Sequence, residues 1–230
     1  MKIKSFGCSF VFGTDLHDDG RDLARATPSK HTWPALLARH LGHTYECYAR
    51  PGSGNLQIWE NIANQIATKE SSLYVIGWTW IDRFDYIKKN APNWFDGTRW
   101  KTIMPIDQDL TAGMYYRDLH SEHLDKMKSL IYVKSAIDLL LQNKCQFIMT
   151  SLDELLLDQR WNLSSGMRPM QEFVRPYLSS FNDQNFLDYS RDNGHQISST
   201  SHPLESAHLD VANLVINNLQ YYIKGEYNDC

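Results

Sequence analysis

The hydrophobic and polar positions of this chain predict short buried strands that alternate with amphipathic helices. Four short apolar runs predict strands, at residues 2–6, 44–49, 73–79 and 145–150. The third run, Leu73-Tyr74-Val75-Ile76-Gly77-Trp78-Thr79, is apolar throughout, which is typical of a parallel strand covered on both faces. A fifth and weaker run at Asn185–Tyr189 predicts a fifth strand. Together the runs predict one parallel sheet.

Apolar residues at helical spacing lie between these runs. One helix is expected to begin at Thr32-Trp33-Pro34, with the threonine as N-cap and the proline in the first turn, and to end at Gly42. Further helices are predicted near residues 56–67, 114–143, 152–158, 167–178 and 204–224. Strands that alternate with helices predict right-handed β-α-β units and a three-layer α/β sandwich. Such sheets bind ligands at the carboxyl ends of their strands.

Residues 80–113 show no clear period and contain Trp80, Trp94 and Trp100. Loops of this length inside a compact domain are usually lids or binding loops. We therefore predict one domain over residues 1–230 with an aromatic-rich insertion at about 80–113. Trp78 and Trp80 are candidate substrate contacts, with plain packing as the alternative. Arg83 either anchors the insertion through Asp85 or binds an anionic substrate.

Composition excludes several classes of protein. The 230 residues carry a formal net charge of −4 with both signs interleaved, so no nucleic-acid partner is expected. No apolar stretch approaches the roughly 18 residues of a membrane span. The start Met-Lys-Ile-Lys is followed by too short an apolar run for a signal peptide, which favours the cytoplasm. The four cysteines are scattered, so neither a disulfide framework nor a structural zinc site is expected.

A serine with potential partners follows the first strand. Gly7-Cys8-Ser9-Phe10 predicts a tight turn that presents Ser9 at the carboxyl edge of the sheet. Acyl transfer by serine needs a base within hydrogen-bond reach and donors for the oxyanion. His202, which precedes Pro203 and the last helix, is the candidate base. The alternatives are a serine in an ordinary turn and a histidine at a helix entry.

The candidate oxyanion donors lie in two other segments. They are the backbone N–H groups of Ser9 and Gly54, the side-chain amide of Asn55 and the hydroxyl of Thr79. Glycine at 54 allows a substrate to approach the backbone closely. No metal or organic cofactor is required by this chemistry.

The order of these motifs resembles the SGNH (GDSL-like) hydrolase superfamily. Gly7-Cys8-Ser9-Phe10 is similar to its first block, Pro51-Gly52-Ser53-Gly54-Asn55 to its second, Ile76-Gly77-Trp78-Thr79 to its third, and the segment from Ser201 to Ala212 to its last. The resemblance implies a flavodoxin-like fold with five parallel strands in the order 2-1-3-4-5. It assigns Ser9 as nucleophile, Gly54 as an oxyanion-hole amide and His202 as base. The residues Ile76-Gly77-Trp78-Thr79 and Arg83-Phe84-Asp85, at the end of the third strand and just after it, resemble those of uncharacterised proteins of tailed phages.

The chain departs from the family pattern at three positions. Cys8 replaces the first-block aspartate, and Thr79 stands where the oxyanion-hole asparagine is expected. Ser199 occupies the position three before His202, where the family has its triad aspartate. Asp192 is the nearest acidic residue upstream and is our candidate for the missing acid. Otherwise a Ser-His dyad helped by a backbone carbonyl has to serve, with weakened catalysis.

Two functions of different classes follow. The first is a serine hydrolase for an ester, such as an O-acyl group on a carbohydrate or another small molecule. The second is a binding or assembly protein that keeps the hydrolase fold with little turnover, motivated by the replaced aspartate and asparagine. A phosphate- or nucleotide-binding site at Gly52-Ser53-Gly54 is disfavoured, since neither the Gly-x-Gly-x-x-Gly fingerprint nor a P-loop lysine is present.

Overall fold

A computed structural model describes residues 1–19, 26–89 and 99–225 of the chain. The strands are β1 (Lys2–Phe6), β2 (Thr44–Cys47), β3 (Ser72–Trp78), β4 (Phe84–Ile87), β5 (Trp100–Ile103) and β6 (Gln146–Ser151). The helices are α1 (Ser9–Phe12), α2 (Trp33–His40), α3 (Asn55–Ile66), α4 (Leu110–Asp118), α5 (Glu122–Gln142), α6 (Met167–Val174), α7 (Phe186–Asp192), α8 (Glu205–Asn217) and α9 (Leu219–Tyr222). Among the described residues, no helix is both long enough and apolar enough to cross a membrane.

The main sheet is parallel throughout and has the order β2-β1-β3-β6. In register, Ile3 pairs with Tyr45 on one side and with Leu73 on the other. This arrangement confirms the predicted α/β class and the first four positions of the predicted strand order. Since all four strands run the same way, their carboxyl ends meet at one edge of the sheet, which carries the residues after β1 and β3.

Alternate residues of the central strands enter two separate cores. Leu73 and Val75 pack with α2 and α8 on one face, whereas Tyr74 and Ile76 pack with α3 and α5 on the other. A strand turns successive side chains to opposite faces, so an uninterrupted apolar run is what a doubly covered strand requires. Helices on both faces give the three layers.

The predicted fifth strand is wrong. Residues 186–189 instead form the start of α7. Asn185 caps this helix, because its side-chain oxygen accepts hydrogen bonds from the amides of Leu187 and Asp188, both at 3.0 Å. A run of five residues is too short to distinguish the periodicity of a strand from that of a helix. Asn185, a favourable N-cap residue, is the feature of the sequence that indicates a helix. Within the described residues, no fifth strand pairs with the outer edge of β6, which carries two isolated bridges, a parallel one between Met149 and Leu178 and an antiparallel one between Phe147 and Lys224.

The insertion contains an antiparallel hairpin. β4 and β5 pair with Asp85 opposite Thr102. Residues 90–98, which include Trp94, lie outside the described residues. The long helix predicted over 114–143 is two helices, because Ser121 caps a new start by accepting the amide of Leu124 at 3.5 Å.

A buried histidine, not the predicted threonine side chain, caps α2. The Trp33 amide donates to His208 Nδ1 at 3.1 Å, while the Thr32 hydroxyl faces Tyr45. Burial lowers the pKa of His208 to about 3; the charge of Glu205 opposes this shift and that of His202 adds to it. His208 is therefore neutral in the folded protein, which leaves Nδ1 as an acceptor. His208 thus has a structural role at the start of α2.

We expect His208 to make the protein acid-sensitive. Below about pH 6.5 the unfolded chain binds a proton that the folded protein excludes, so the free energy of unfolding falls as pH drops towards 3. The slope is at most about 1.4 kcal/mol per pH unit from this one group. Urea unfolding between pH 4.5 and 7.5 measures it. His208→Gln should flatten the dependence, and the exposed His40→Gln should leave it unchanged; equal slopes in all three proteins contradict the assignment.

Candidate active site

The turn after β1 is built by a close approach of two strands. A Cβ atom on Gly7 would lie 2.6 Å from Val11 Cγ2 and 2.9 Å from the carbonyl oxygen of Gly77 on β3, so only glycine fits. Cys8 then caps α1, and Ser9 is its first residue. The Ser9 amide is accordingly one of the helix N–H groups without an intrahelical acceptor. The Ser9 side chain is buried and makes no hydrogen bond to any described residue.

His202 is paired with an aspartate that lies outside all four of the family-like motifs. Its Nδ1 lies 2.8 Å from Oδ2 of Asp15, which follows α1. The same carboxylate oxygen accepts the Ser198 hydroxyl at 2.6 Å and the Thr200 hydroxyl. The loop that carries His202 is itself closed, because the His202 amide donates to the Ser198 hydroxyl at 3.1 Å. Asp15 thus fixes both the ring and the loop that presents it.

The charge of Asp15 decides the tautomer of His202. Partial burial opposes ionisation of this carboxyl, but the hydrogen bonds from Ser198, Thr200 and His202 outweigh it and lower its pKa to about 2. An ionised carboxylate only accepts hydrogen bonds, so we assign the imidazole proton to Nδ1. Nε2 of His202 then keeps its lone pair, which is the state that a general base requires.

Asp192, our candidate acid, lies elsewhere. It is exposed at the end of α7, where its carboxylate accepts the side-chain amide of Gln184. The structure gives His202 an acidic partner, but brings it from 187 positions away in the sequence. The usable signal was the nearness of Asp15 to Ser9, since both follow the same strand.

The Ser9 hydroxyl and His202 belong to one neighbourhood but are not hydrogen-bonded. The ring of Phe10, the residue after Ser9, lies 5.2 Å from the His202 ring, centroid to centroid. Catalytic hydrogen bonds often tighten only in the substrate complex, so the base role of His202 stays a prediction on this geometry.

The amide of Gly54 is not free in this structure. It donates to Oδ1 of Asp85 at 3.0 Å, and the Gln57 amide donates to Oδ2 at 2.9 Å. The carboxylate therefore caps the amino end of α3, where the helix dipole favours negative charge. Burial raises the pKa of Asp85 above its ordinary value, and its hydrogen bonds oppose that rise. A Cβ on Gly54 would lie 2.6 Å from Asp85 Oδ2, so this contact explains the glycine.

The two other oxyanion candidates, Asn55 and Thr79, differ in whether their side chains are already engaged by other groups of the protein. Asn55 uses its side chain to hold the end of β3: Nδ2 donates to the Thr79 carbonyl at 3.1 Å, and Oδ1 accepts the Thr79 amide at 2.9 Å. Nδ2 also contacts the Ser129 hydroxyl at 3.1 Å. The Thr79 hydroxyl, in contrast, is buried and has no hydrogen-bond partner among the described residues. Unpaired buried hydroxyls are rare, which makes this one a candidate ligand contact.

Comparisons with known proteins locate this arrangement among hydrolase folds. No protein-family model and no curated protein matches the chain. Among solved structures, a member of the lipolytic protein G-D-S-L family from Veillonella parvula is 15% identical, with 96% of this chain and 98% of that chain covered and a TM-score of 0.51. LAE5, an alpha/beta hydrolase enzyme from the Lake Arreo metagenome, is 13% identical over 96% and 95%, with a TM-score of 0.53.

A third structure is that of a carbohydrate esterase, 17% identical, with 95% of this chain and 68% of that chain covered and a TM-score of 0.50. The chain has the fold of the G-D-S-L lipolytic proteins. At these identities the likeness concerns the fold, and the roles of individual residues come from their geometry. The predicted resemblance to phage proteins stays a prediction.

Within this fold, the three candidate substrate contacts lie in different environments. Trp78 is fully buried in the core between β3 and α3, away from solvent. Trp80 is half-buried and packs edge-on against Phe10, with 5.5 Å between ring centroids. Arg83 stacks on the Trp80 ring at 4.9 Å and donates to the Ser53 carbonyl at 3.0 Å. Arg83 thus anchors the start of the insertion through the Ser53 carbonyl and not through Asp85, and Trp80 borders the turn of Ser9.

Proposed function

We propose that the protein is a serine ester hydrolase that uses Ser9, His202 and Asp15. The hydrogen bond between His202 Nδ1 and the ionised Asp15 carries this proposal, because it leaves Nε2 basic beside the Ser9 turn. The likeness of the fold to a lipolytic protein and a carbohydrate esterase supports the same class of reaction. Asp15 would thereby act as the triad acid in place of the aspartate that the family pattern has at position 199.

The reaction proceeds through an acyl-enzyme. His202 Nε2 takes the proton of Ser9 Oγ as that oxygen attacks the ester carbonyl carbon. The tetrahedral intermediate collapses when the alkoxide leaves with the proton from His202. Water, deprotonated by His202, then attacks the acyl group and releases the acid and Ser9. Asp15 stays ionised and stabilises the imidazolium formed in each half.

The oxyanion hole we propose contains the Ser9 amide and the Thr79 hydroxyl. The Ser9 amide has no intrahelical acceptor, and the Thr79 hydroxyl, at the end of the adjacent strand, has no hydrogen-bond partner among the described residues. In this set Asn55 acts indirectly, since its side chain fixes the peptide of Thr79. Gly54 joins only if its amide is released by Asp85.

The substrate class we propose is an ester of a small molecule or carbohydrate. Trp80 beside Phe10 offers an aromatic surface near Ser9, and aromatic faces suit the apolar faces of such molecules. A carbohydrate esterase is among the structures with this fold, which supports the finer choice.

A fluorophosphonate probe tests the proposal. We expect a covalent adduct on the peptide that contains Ser9, located by mass spectrometry, together with turnover of short-chain p-nitrophenyl esters. Heat-unfolded protein is the control, since a serine outside an active site does not react. A folded protein with neither adduct nor turnover contradicts the proposal.

The second candidate function is that of a binding protein, and the capture of Gly54 by Asp85 favours it. Asp85 accepts the amide of Gly54, which is an expected oxyanion donor. This amide then cannot stabilise the transition state of ester hydrolysis, whereas the surface that would bind a ligand is unchanged. The structure of the carbohydrate esterase cited above has an active site described as having divergent catalytic and non-catalytic binding functions. Saturable binding of an acylated oligosaccharide without its hydrolysis would support this candidate.

A further inference from the structure

A second cluster of chemically capable side chains lies beside the candidate active site. His17, Asp18 and His31 each place one metal-ligating atom within 4.8 Å of those of the other two. His17 and Asp18 belong to the loop that follows α1, and His31 precedes α2. The two imidazole rings lie 4.4 Å apart, centroid to centroid, and His31 Nε2 lies 3.9 Å from Asp18 Oδ2. The sequence spacing of 13 to 14 residues conceals this grouping.

A fourth residue orients one of these histidines. Oε1 of Glu205, in the first turn of α8, accepts the His17 amide at 2.8 Å and contacts His17 Nδ1 at 2.9 Å. A carboxylate ionised at neutral pH only accepts, so Nδ1 carries the proton. Nε2 of His17 is thereby left with its lone pair. Metal-binding histidines are commonly held in this way by a carboxylate on their other nitrogen.

We propose that His17, Asp18 and His31 form a binding site for a divalent transition metal of the zinc type, oriented by Glu205. Two imidazoles and one carboxylate suit zinc, and three protein ligands leave a fourth position for water. In tetrahedral zinc sites the ligand atoms are about 3.3 Å apart. The ligand atoms, 3.9 Å to at most 4.8 Å apart, therefore have to move closer by about 0.6 to 1.5 Å. Rotations of the exposed His17 and the half-buried His31 can supply this movement.

Metal binding would join three segments of the chain. The loop after α1 carries Asp15 two residues before His17, His31 leads into α2, and Glu205 opens α8. A bound ion cross-links the first two directly and the third through the Glu205 hydrogen bonds. A ligand that binds only the folded state raises its stability, so the melting temperature should increase with zinc concentration.

Isothermal titration of the chelator-treated full chain with Zn²⁺ tests the site. We expect one equivalent to bind to the wild type and a rise in melting temperature. His31→Ala and His17→Gln should each abolish this binding, while Glu205→Gln should weaken it by about 10- to 100-fold. His40→Ala, an exposed histidine at the end of α2, is the matched control and should bind as the wild type does.

Absence of stoichiometric binding by the wild type overturns the proposal, as does full binding by a folded His31→Ala protein. Circular dichroism identifies any variant that is unfolded, and the second histidine variant then decides. Co²⁺ adds a spectroscopic readout, since tetrahedral coordination gives intense visible absorption that the two histidine variants should lack. The proposed ester hydrolysis does not depend on this metal site. If the hydrolase proposal is wrong, the metal-free protein shows no ester turnover, whatever the result of the zinc titration.

Discussion

Ser9→Ala is expected to reduce kcat for a short-chain ester by about 10³- to 10⁶-fold, to the level that binding and the oxyanion donors alone sustain. The reason is that alanine removes the only atom proposed to form the acyl-enzyme. The folded state should be unaffected, because the Ser9 hydroxyl makes no hydrogen bond to any described residue. Initial rates of p-nitrophenyl acetate hydrolysis measure the effect, with the melting temperature recorded in parallel.

Ser165→Ala is the matched control for Ser9. Ser165 is exposed, so its substitution should leave both the rate and the melting temperature unchanged. A Ser9→Ala protein that retains more than about a tenth of wild-type kcat would exclude covalent catalysis by Ser9.

Asp15→Asn is expected to reduce kcat by about 10⁴-fold, the order found when a triad aspartate is replaced by its amide. An asparagine amide that donates to His202 Nδ1 forces the imidazole proton onto Nε2, which then has no lone pair for the serine proton. The variant also removes the negative charge that stabilises the imidazolium. The p-nitrophenyl acetate assay used for Ser9→Ala measures the loss.

Asp192→Asn separates the two acids in the same assay. Because Asp192 is exposed and accepts Gln184, we expect its substitution to change kcat less than twofold. A large loss in Asp192→Asn with none in Asp15→Asn would reverse the assignment of the acid.

The parts of the structure that follow from local pattern were predictable from the sequence. The apolar run that forms β3 identifies a doubly covered strand, because both of its faces must be buried. The position of Ser9 also follows locally, since Gly7 can only serve a close turn at that point. The four-stranded order then brings the ends of β1 and β3 together without further information.

The partners of the candidate site were less predictable, because they depend on contacts between distant segments. Asp15 meets His202 through a loop closed by Ser198 and Thr200, and no spacing rule encodes that contact. The occupied amide of Gly54 likewise depends on Asp85, 31 residues further on. Sequence motifs identify which groups can donate, but not which of them another side chain has already engaged.

The position of Asp85 has a consequence for engineering the insertion. This carboxylate on β4 caps the helix that carries Asn55, and it also accepts the hydroxyl of Thr102 on β5. Excision of residues 80–113 would remove Asp85, the acceptor for the amides of Gly54 and Gln57 at the amino end of α3. It would also leave an empty space beside Gly54. The β4–β5 hairpin is therefore part of the structure that holds the amino end of α3. Loop grafting or trimming should keep Asp85 and Thr102 and change only the residues between β4 and β5.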